Sequence, residues 1–293
     1  MRRFLAIAKA TAQELLDDPL SLLVALSSAA LSVLAPTLHY HQFGEPTRMA
    51  RDAGLSSLLL GGVVFAVFGC VRSLRRELES RTAELALSRA VGRGAFLCAK
   101  FAGCTLAYAV FVLTIASLAL VMVRGAAIGG AIAAAKGGDV PRMHGVSLAL
   151  ATGAIVLAPA VAAALNRLRR IRFVLSANLL FAAFSLLAVF YSLDCVLVLR
   201  HLPVVFCAAL PAVFLSSVAL AAAVRLKANA AVSAGAVCAA LFIPFIGSVD
   251  VPEALAKGGS LGWWYSLKAF ASLLPWTAAA LVAGTALMRD MEI

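Results

Sequence analysis

Charged side chains are scarce in this sequence of 293 residues. Asp, Glu, Lys and Arg make up 13% of it, whereas an ordinary soluble domain has about 25%. Hydrophobic residues make up 63%, and the mean hydropathy is +0.98. A chain with so few polar groups does not have the composition of a soluble domain. The composition therefore predicts an integral membrane protein.

Several groups that carry chemistry are also missing. No Lys follows a Gly anywhere in the chain, which excludes the G-x-x-x-x-G-K-[ST] loop that holds ATP phosphates. There is no H-E-x-x-H pattern and no pair of carboxylates within a predicted membrane span. The six cysteines have no C-x-x-C spacing, and we interpret them as small core residues. We therefore expect no enzymatic activity, no cofactor and no metal site.

Two histidines are the nearest approach to a metal site. His39 and His41 have an i, i+2 spacing that can hold a metal, but Glu45 is the only further ligand beside them. A protein metal site usually supplies three or four ligands. We therefore interpret this stretch as a solvated loop.

Apolar runs long enough to cross a bilayer occur eight times. A span needs about 20 residues, and helices satisfy their own backbone hydrogen bonds in lipid. The predicted fold class is all-α, a polytopic helical membrane protein with spans at roughly 20–38, 53–71, 101–123, 145–165, 173–193, 202–224, 229–248 and 270–288. Six spans are the alternative, because the connections at 194–201 and 225–229 are short and could be kinks or re-entrant turns. The prolines that would allow such breaks are Pro203, Pro211 and Pro244.

The distribution of basic residues predicts the orientation. The net charge is +11, and with the N-terminus inside, 17 basic residues fall on the inner side and 8 on the outer side. Lys and Arg accumulate in cytoplasmic loops of membrane proteins. We therefore expect both termini in the cytoplasm, membrane lipids around the spans, and no nucleic-acid partner.

The N-terminal residues 1–19 lack the apolar core of a signal peptide. Their pattern predicts a cytoplasmic amphipathic helix that lies in the membrane interface and turns into the bilayer at 17–19. The apolar side chains expected to lie in the interface are Phe4, Ile7, Ala8, Leu15 and Leu16.

Three outer or intramembrane features have structural interpretations. Trp263, Trp264 and Tyr265 precede the last span, and such aromatic rings anchor helices at the headgroup level, with a substrate gate as the alternative. Asn178 lies within a span and is expected to bond to another helix. Residues 125–138 are rich in Gly and Ala and predict a mobile outer segment.

Residues 72–100 are the one long charged stretch, with seven basic residues and three Glu. Good helix formers and the absence of proline predict a helix that ends at Gly92 and Gly94. Leu74, Leu78 and Leu85 would form its apolar stripe. A short helix joined to two spans can act as a lever on both, while a charged loop that merely follows the positive-inside rule explains the same composition.

This stretch resembles the signature of ABC-2 type transporter permeases. The residues that match position by position are Glu77, Glu79, Thr82, Ser88, Arg89, Arg93 and Lys100. The same run also holds Leu78, Arg81, Leu85, Phe96 and Gly103. Ala90 stands where the family usually has Pro, and Ala99 stands where it usually has Gly before the Lys. The match covers about 30 residues, and the rest of the chain is merely compatible with the family. The usual core of the family has six spans, so the resemblance implies that 194–248 is an added hairpin.

The resemblance implies a function for the whole chain, 1–293, as a single permease domain. It implies that 72–100 is a cytoplasmic coupling helix that docks on a separate ATP-binding subunit. It also implies that a second permease subunit completes an exporter in a bacterial inner membrane. Glu77, Glu79 and Arg81 would make polar contacts to the ATPase, and Leu78 and Leu85 would pack on it. Thr82 and Ser88 belong to the same surface, and the residues that would anchor it to headgroups or to the partner are Arg89, Arg93 and Lys100.

Two other classes of function stay open from the sequence. A membrane scaffold or assembly factor could recruit a cytoplasmic protein through the same helix without transporting anything. An intramembrane enzyme is the third class, and it lacks the catalytic groups named above.

Overall fold

The computed structural model describes residues 2–38, 46–80, 92–135, 143–191, 195–227, 229–232, 234–235, 237–238 and 262–289. Nearly all of these residues are helical. In chain order the helices are α1 (Arg2–Leu16), α2 (Pro19–Leu34, followed by a 3-10 turn Ala35–Thr37), α3 (Pro46–Glu79), α4 (Arg93–Ala135), α5 (Gly145–Arg169), α6 (Phe173–Tyr191), α7 (Cys195–Arg225) and α8 (Trp263–Arg289).

Seven of these helices, α2 to α8, are long and apolar enough to cross a membrane. The all-α, multi-pass prediction is thereby confirmed. The predicted span at 229–248 lies mostly outside the described residues, so the count of eight stays a prediction, as does the placement of both termini in the cytoplasm. Many large apolar side chains of these helices are exposed, as lipid-facing residues are, and those of α8 include Trp264, Leu267, Trp276 and Val282.

Two predicted irregular segments are helical instead. Residues 195–201, expected to be a connection, form the first turns of α7, which runs unbroken through Pro203 and Pro211. Residues 125–135, expected to be mobile, are the last turns of α4. In an apolar medium a helix keeps its backbone hydrogen bonds, which favours extending it over opening a loop. The break predicted after Arg225 is confirmed.

Two turns have clear local causes. The predicted turn after α1 is present: the Asp18 side chain accepts a hydrogen bond from Leu20 N at 3.1 Å, and Pro19 opens α2. Between α5 and α6, Arg170 takes a left-handed conformation with φ 53° and donates its N–H to Asn166 O at 2.9 Å. This is the position that usually holds glycine at a helix end.

The residues group into two compact units. Unit 1 comprises 1–16, 62–109 and 209–293, and unit 2 comprises 17–61 and 110–208. Unit 1 buries large side chains from α3, α4, α7 and α8, among them Leu74, Phe96, Leu97, Leu215, Leu220 and Met288. Gly284 of α8 lies against Leu97 and Ala221, where a Cβ atom would come within 2.8 Å of Leu97. Small residues thus bring α8 close to its neighbours.

Unit 2 is packed by the same means. Gly54 and Gly61 of α3 leave room for Ala119 of α4 and Ser28 of α2, and a Cβ atom at either position would overlap its neighbour. Leu22, Ala162 and Ala177 form a buried cluster that joins α2, α5 and α6. These close approaches are typical of membrane helices, where small residues let backbones pack tightly.

Candidate functional site

Charged residues from three helices meet in unit 1. Glu14 lies near the end of α1, Ser73, Arg76 and Glu77 lie in the last turns of α3, and Lys100 lies in the second turn of α4. We call these five residues the Lys100 network. Its members from α3 and α4 flank residues 81–91, which lie outside the described residues, so the network stands at both ends of the charged signature stretch.

Lys100 is the centre of this network. Its side chain is 0% exposed, and its Nζ lies 2.6 Å from Glu77 Oε1 and 3.8 Å from Glu14 Oε2. The ammonium also donates a hydrogen bond to Ser73 Oγ at 3.1 Å. An ammonium has three donors and no acceptor, and here three oxygens surround it. The buried positive charge is therefore compensated from both neighbouring helices.

Glu14 is held from two sides. Ser73 Oγ donates a hydrogen bond to Glu14 Oε2 at 3.2 Å, and the Arg76 guanidinium lies 3.7 Å from Glu14 Oε1. Ser73 therefore accepts from Lys100 and donates to Glu14. This chain of contacts joins α1 to the pair that α3 and α4 form, so α1 is part of the same polar cluster.

The energetic consequence depends on burial. Removing an ion from water costs several kcal/mol, and only close partners offset the cost. Glu77 is 28% exposed and can be solvated in part, whereas Lys100 cannot. The free energy of unfolding therefore depends on the partners of Lys100 more than on those of Glu77. Losing Glu77 would leave the charge of Lys100 poorly compensated.

Helix α1 packs on protein along the face predicted to lie in the membrane interface. Ala8, Leu15 and Leu16 are buried. At Gly103 of α4 a Cβ atom would lie 2.5 Å from Ala8 O and 2.6 Å from Thr11 Cβ, so glycine is required there for α1 to approach. The amphipathic pattern of α1 is thus used for packing within unit 1. The position of α1 in the membrane interface stays a prediction.

The structure separates the predicted site residues into two groups. Glu77 and Lys100 are turned toward each other, and the Lys100 side chain is fully buried. Its contact with headgroups or with the partner stays a prediction. Glu79 is exposed, and Leu78 and Arg93 are half-buried. The remaining predicted residues lie outside the described residues: Arg81, Thr82, Leu85, Ser88 and Arg89.

The helix predicted for residues 72–92 also differs from the helices that the structure shows. Residues 72–79 are the end of the long helix α3 and not a separate helix, and Leu74 of the predicted apolar stripe is fully buried. Gly92 precedes α4 as a break, as predicted, but Gly94 lies inside α4. Glu14 and Ser73 were not predicted. The available signal was an acidic residue at position 14, one turn from the buried Thr11, on the otherwise apolar face of α1.

The other predicted polar positions have structural roles or lie outside the described residues. Asn178 Nδ2 donates to Ser21 Oγ at 3.0 Å, which confirms its predicted bond between helices. His39 and His41 lie outside the described residues. Among the described residues, no group of three His, Cys, Asp or Glu side chains could hold a metal. No disulfide involves Cys70, Cys98, Cys104, Cys207 or Cys238.

One further pattern, G-x-S-x-G at 258–262, directly precedes α8. In α/β-hydrolases this spacing follows a strand and presents a nucleophilic serine to a histidine. Residues 258–261 lie outside the described residues, and no strand occurs in the part of the chain that the structure describes.

No protein-family model matches the chain, and neither a curated protein nor a solved structure shows a significant match to it. The resemblance to ABC-2 permeases thus depends on the signature residues alone. What the structure adds is where those residues lie and which of them meet.

Proposed function

We propose that this protein is the membrane-spanning subunit of an ABC transporter of the ABC-2 type, and that residues 72–100 contact a separate ATPase. The observation that carries the proposal is the contact of Lys100 with Glu77, at 2.6 Å. Both residues belong to the signature, and they join its two ends. A partner that contacts residues 80–92 would act on a segment whose flanking helices are joined by the Lys100–Glu77 ion pair.

The Lys100 network supplies a physical route for such coupling. Displacement of the segment between α3 and α4 acts on Glu77 and Lys100, and through Ser73 and Glu14 on α1. Three helices of unit 1 would then move together, because a buried ion pair is costly to separate. A free loop would transmit no force of this kind.

The sequence supports a division of labour between subunits. The chain has no G-x-x-x-x-G-K-[ST] loop, so ATP must be bound elsewhere. Glu79, the signature carboxylate that is exposed at the end of α3, is the residue we assign to the ATPase contact. A second permease subunit, export of a substrate and residence in a bacterial inner membrane belong to the same proposal.

The test is purification from the native host in mild detergent, followed by mass spectrometry of the proteins that accompany the chain. We expect an ATPase with Walker motifs to accompany the wild type and to be lost from Glu79→Lys. Arg169→Glu is the matched control, since it reverses an exposed charge on the same predicted side, outside the signature. Recovery of no ATPase would contradict the proposal and favour the scaffold. Equal recovery with Glu79→Lys would contradict the assignment of Glu79 to the ATPase contact.

A further inference from the structure

The short connection between α5 and α6 holds arginines and large apolar side chains together. Helix α5 ends at Arg169 and α6 begins at Phe173, so only residues 170–172 join the two helices. We call residues 167–172 the arginine turn, and every one of them is exposed. Its arginines are Arg167, Arg169, Arg170 and Arg172, and its apolar side chains are Leu168 and Ile171.

One arginine of this turn has an acidic partner. Arg172 Nη1 lies 3.3 Å from Asp17 Oδ2, and the Arg172 side chain is 71% exposed. The ion pairs of the described residues do not include Arg167, Arg169 or Arg170. Water solvates exposed arginines, so their charge alone does not identify a ligand. The depth of the turn and its apolar neighbours do.

The arginine turn lies near the level at which α2 begins its apolar run. Asp17, the partner of Arg172, precedes the start of α2 by two residues. Leu22, Ala162 and Ala177 form the buried cluster that joins α2, α5 and α6. At a rise of 1.5 Å per residue, the ends of these three helices lie about 5 to 11 Å from that cluster. Because α2, α5 and α6 are candidate spans, the turn belongs to the membrane interface.

Leu168 continues an exposed apolar stripe of α5. Leu157 and Ala164 precede Leu168 by eleven and seven residues, spacings that return to the same side of a helix. All three side chains are exposed, and Leu168 is 80% exposed. We call these three residues the α5 stripe. Arg167 and Arg169 point about 100° to either side of it.

An anionic phospholipid matches both features. Its acyl chain suits an exposed apolar stripe on a membrane span, and guanidinium groups bind phosphate oxygens through paired hydrogen bonds. Arginine stems can lie along apolar surface while the charged group reaches the headgroups. Clusters of four or more basic residues beside a span are typical of anionic-lipid sites. An acidic protein would match the arginines alone, and a second copy of this chain would match the stripe alone.

We propose that the arginine turn and the α5 stripe form a binding site for one anionic phospholipid. The lipid phosphate accepts hydrogen bonds from Arg167 and Arg169, and one acyl chain lies along the α5 stripe. Arg172 keeps its ion pair with Asp17. The site lies outside the signature stretch, so it does not depend on the proposed ATPase partner.

The test is native mass spectrometry of the purified full chain in a neutral detergent. One titration uses dioleoyl phosphatidylglycerol, and the other uses dioleoyl phosphatidylcholine, which has the same acyl chains and no net charge. We expect the first lipid to bind on the order of 25-fold more tightly, about five-fold for each of the two arginines. Glycerol phosphate, which lacks acyl chains, should not displace the lipid at equal concentration.

Two variants and a matched control locate the site. Arg167→Gln together with Arg169→Gln should make the two affinities nearly equal. Arg225→Gln together with Lys227→Gln should keep the preference, since it removes the same charge from exposed positions after α7, on the same predicted side. Leu168→Ser should weaken both lipids and keep their ratio. These side chains are exposed, so we expect the variants to fold.

The proposal fails if the wild type binds both lipids equally, or if the Arg167 and Arg169 double variant keeps the preference. Loss of the preference in the control as well would mean that the lipid responds to the net charge of the chain. Displacement by glycerol phosphate, or unchanged affinities with Leu168→Ser, would remove the acyl chain from the stripe and favour an acidic protein on the arginines. A dimer in the wild-type spectra that Leu168→Ser dissociates would assign the stripe to a second copy.

Discussion

Lys100 and Glu77 lie toward opposite ends of the signature stretch and form an ion pair with each other. The Nζ atom of a fully buried lysine lies 2.6 Å from a carboxylate oxygen at the far end of the stretch. Two residues that the resemblance to ABC-2 permeases marks for partner contacts are thus partners of each other. The segment between them therefore starts and ends at one polar cluster, and this relationship leads to predictions on stability as well as on coupling.

Substitutions of Glu77 and of Lys100 should lower the free energy of unfolding by different amounts. Glu77→Gln leaves Lys100 buried with weaker partners, and we expect it to lower the free energy of unfolding by about 3 kcal/mol. Lys100→Met leaves a carboxylate that is partly solvated and fills the space with an apolar chain, so its loss should be smaller. Thermal unfolding in one detergent compares them, with the double variant expected to be more stable than Glu77→Gln. Equal losses that simply add would show that the pair contributes no coupling energy.

Gly103 should be required for α1 to pack. Gly103→Ala places a methyl group 2.5 Å from Ala8 O, so we expect α1 to be displaced and the Tm to fall. Gly153→Ala is the control, because nothing lies within 4 Å of that position and a helix interior gains about 1 kcal/mol from alanine. Maleimide labelling of Thr11→Cys should increase with Gly103→Ala. Unchanged labelling would mean that α4 yields and α1 stays in place.

Arg170→Gly should stabilise the turn between α5 and α6. The left-handed φ of 53° costs an L-residue about 1 kcal/mol relative to glycine. Arg167→Gly removes the same charge from the same predicted cytoplasmic loop but lies in the last turn of α5, where glycine costs up to about 1 kcal/mol. The two Tm shifts are expected to have opposite signs. If both variants lower the Tm, the Arg170 side chain stabilises the protein by more than its left-handed backbone conformation costs.

The hydrogen bond from Asn178 to Ser21 should make a small contribution to the free energy of unfolding. Asn178→Ala removes the 3.0 Å contact between α6 and α2, and hydrogen bonds between membrane helices contribute about 0.6 kcal/mol, rarely more than about 1.7 kcal/mol. A double-mutant cycle with Ser21→Ala measures the coupling. A coupling energy near zero would indicate that the two side chains find other partners when separated.

Under the proposed function, Glu79→Lys should lower the ATP hydrolysis that depends on this chain, without lowering expression. The residue is exposed at the end of α3 and makes no part of the Lys100 network. The measurement is hydrolysis by the ATPase reconstituted with each variant, beside Arg169→Glu as a charge-reversal control. Unchanged hydrolysis would count against the docking role of this carboxylate.

Local composition predicted much of the fold. The long apolar runs at 145–165 and 173–193 coincide with α5 and α6, and Asp18 and Pro19 mark the start of α2 as expected. Where prediction failed, at 195–201 and 125–135, short-range signals of a loop were overridden by a continuous helix in a long apolar context. Turn propensity is weak against the cost of an unsatisfied backbone in lipid.

What the sequence by itself determined is the class of this protein and most of its helices, because hydropathy, helix length and capping depend on residues near one another in the chain. Only the tertiary structure decided that Lys100 is buried, that Glu77 and Ser73 face it, and that Glu14 of α1 completes the cluster. Which helix faces meet depends on packing between segments distant in sequence, and the small residue at Gly103 allows that approach.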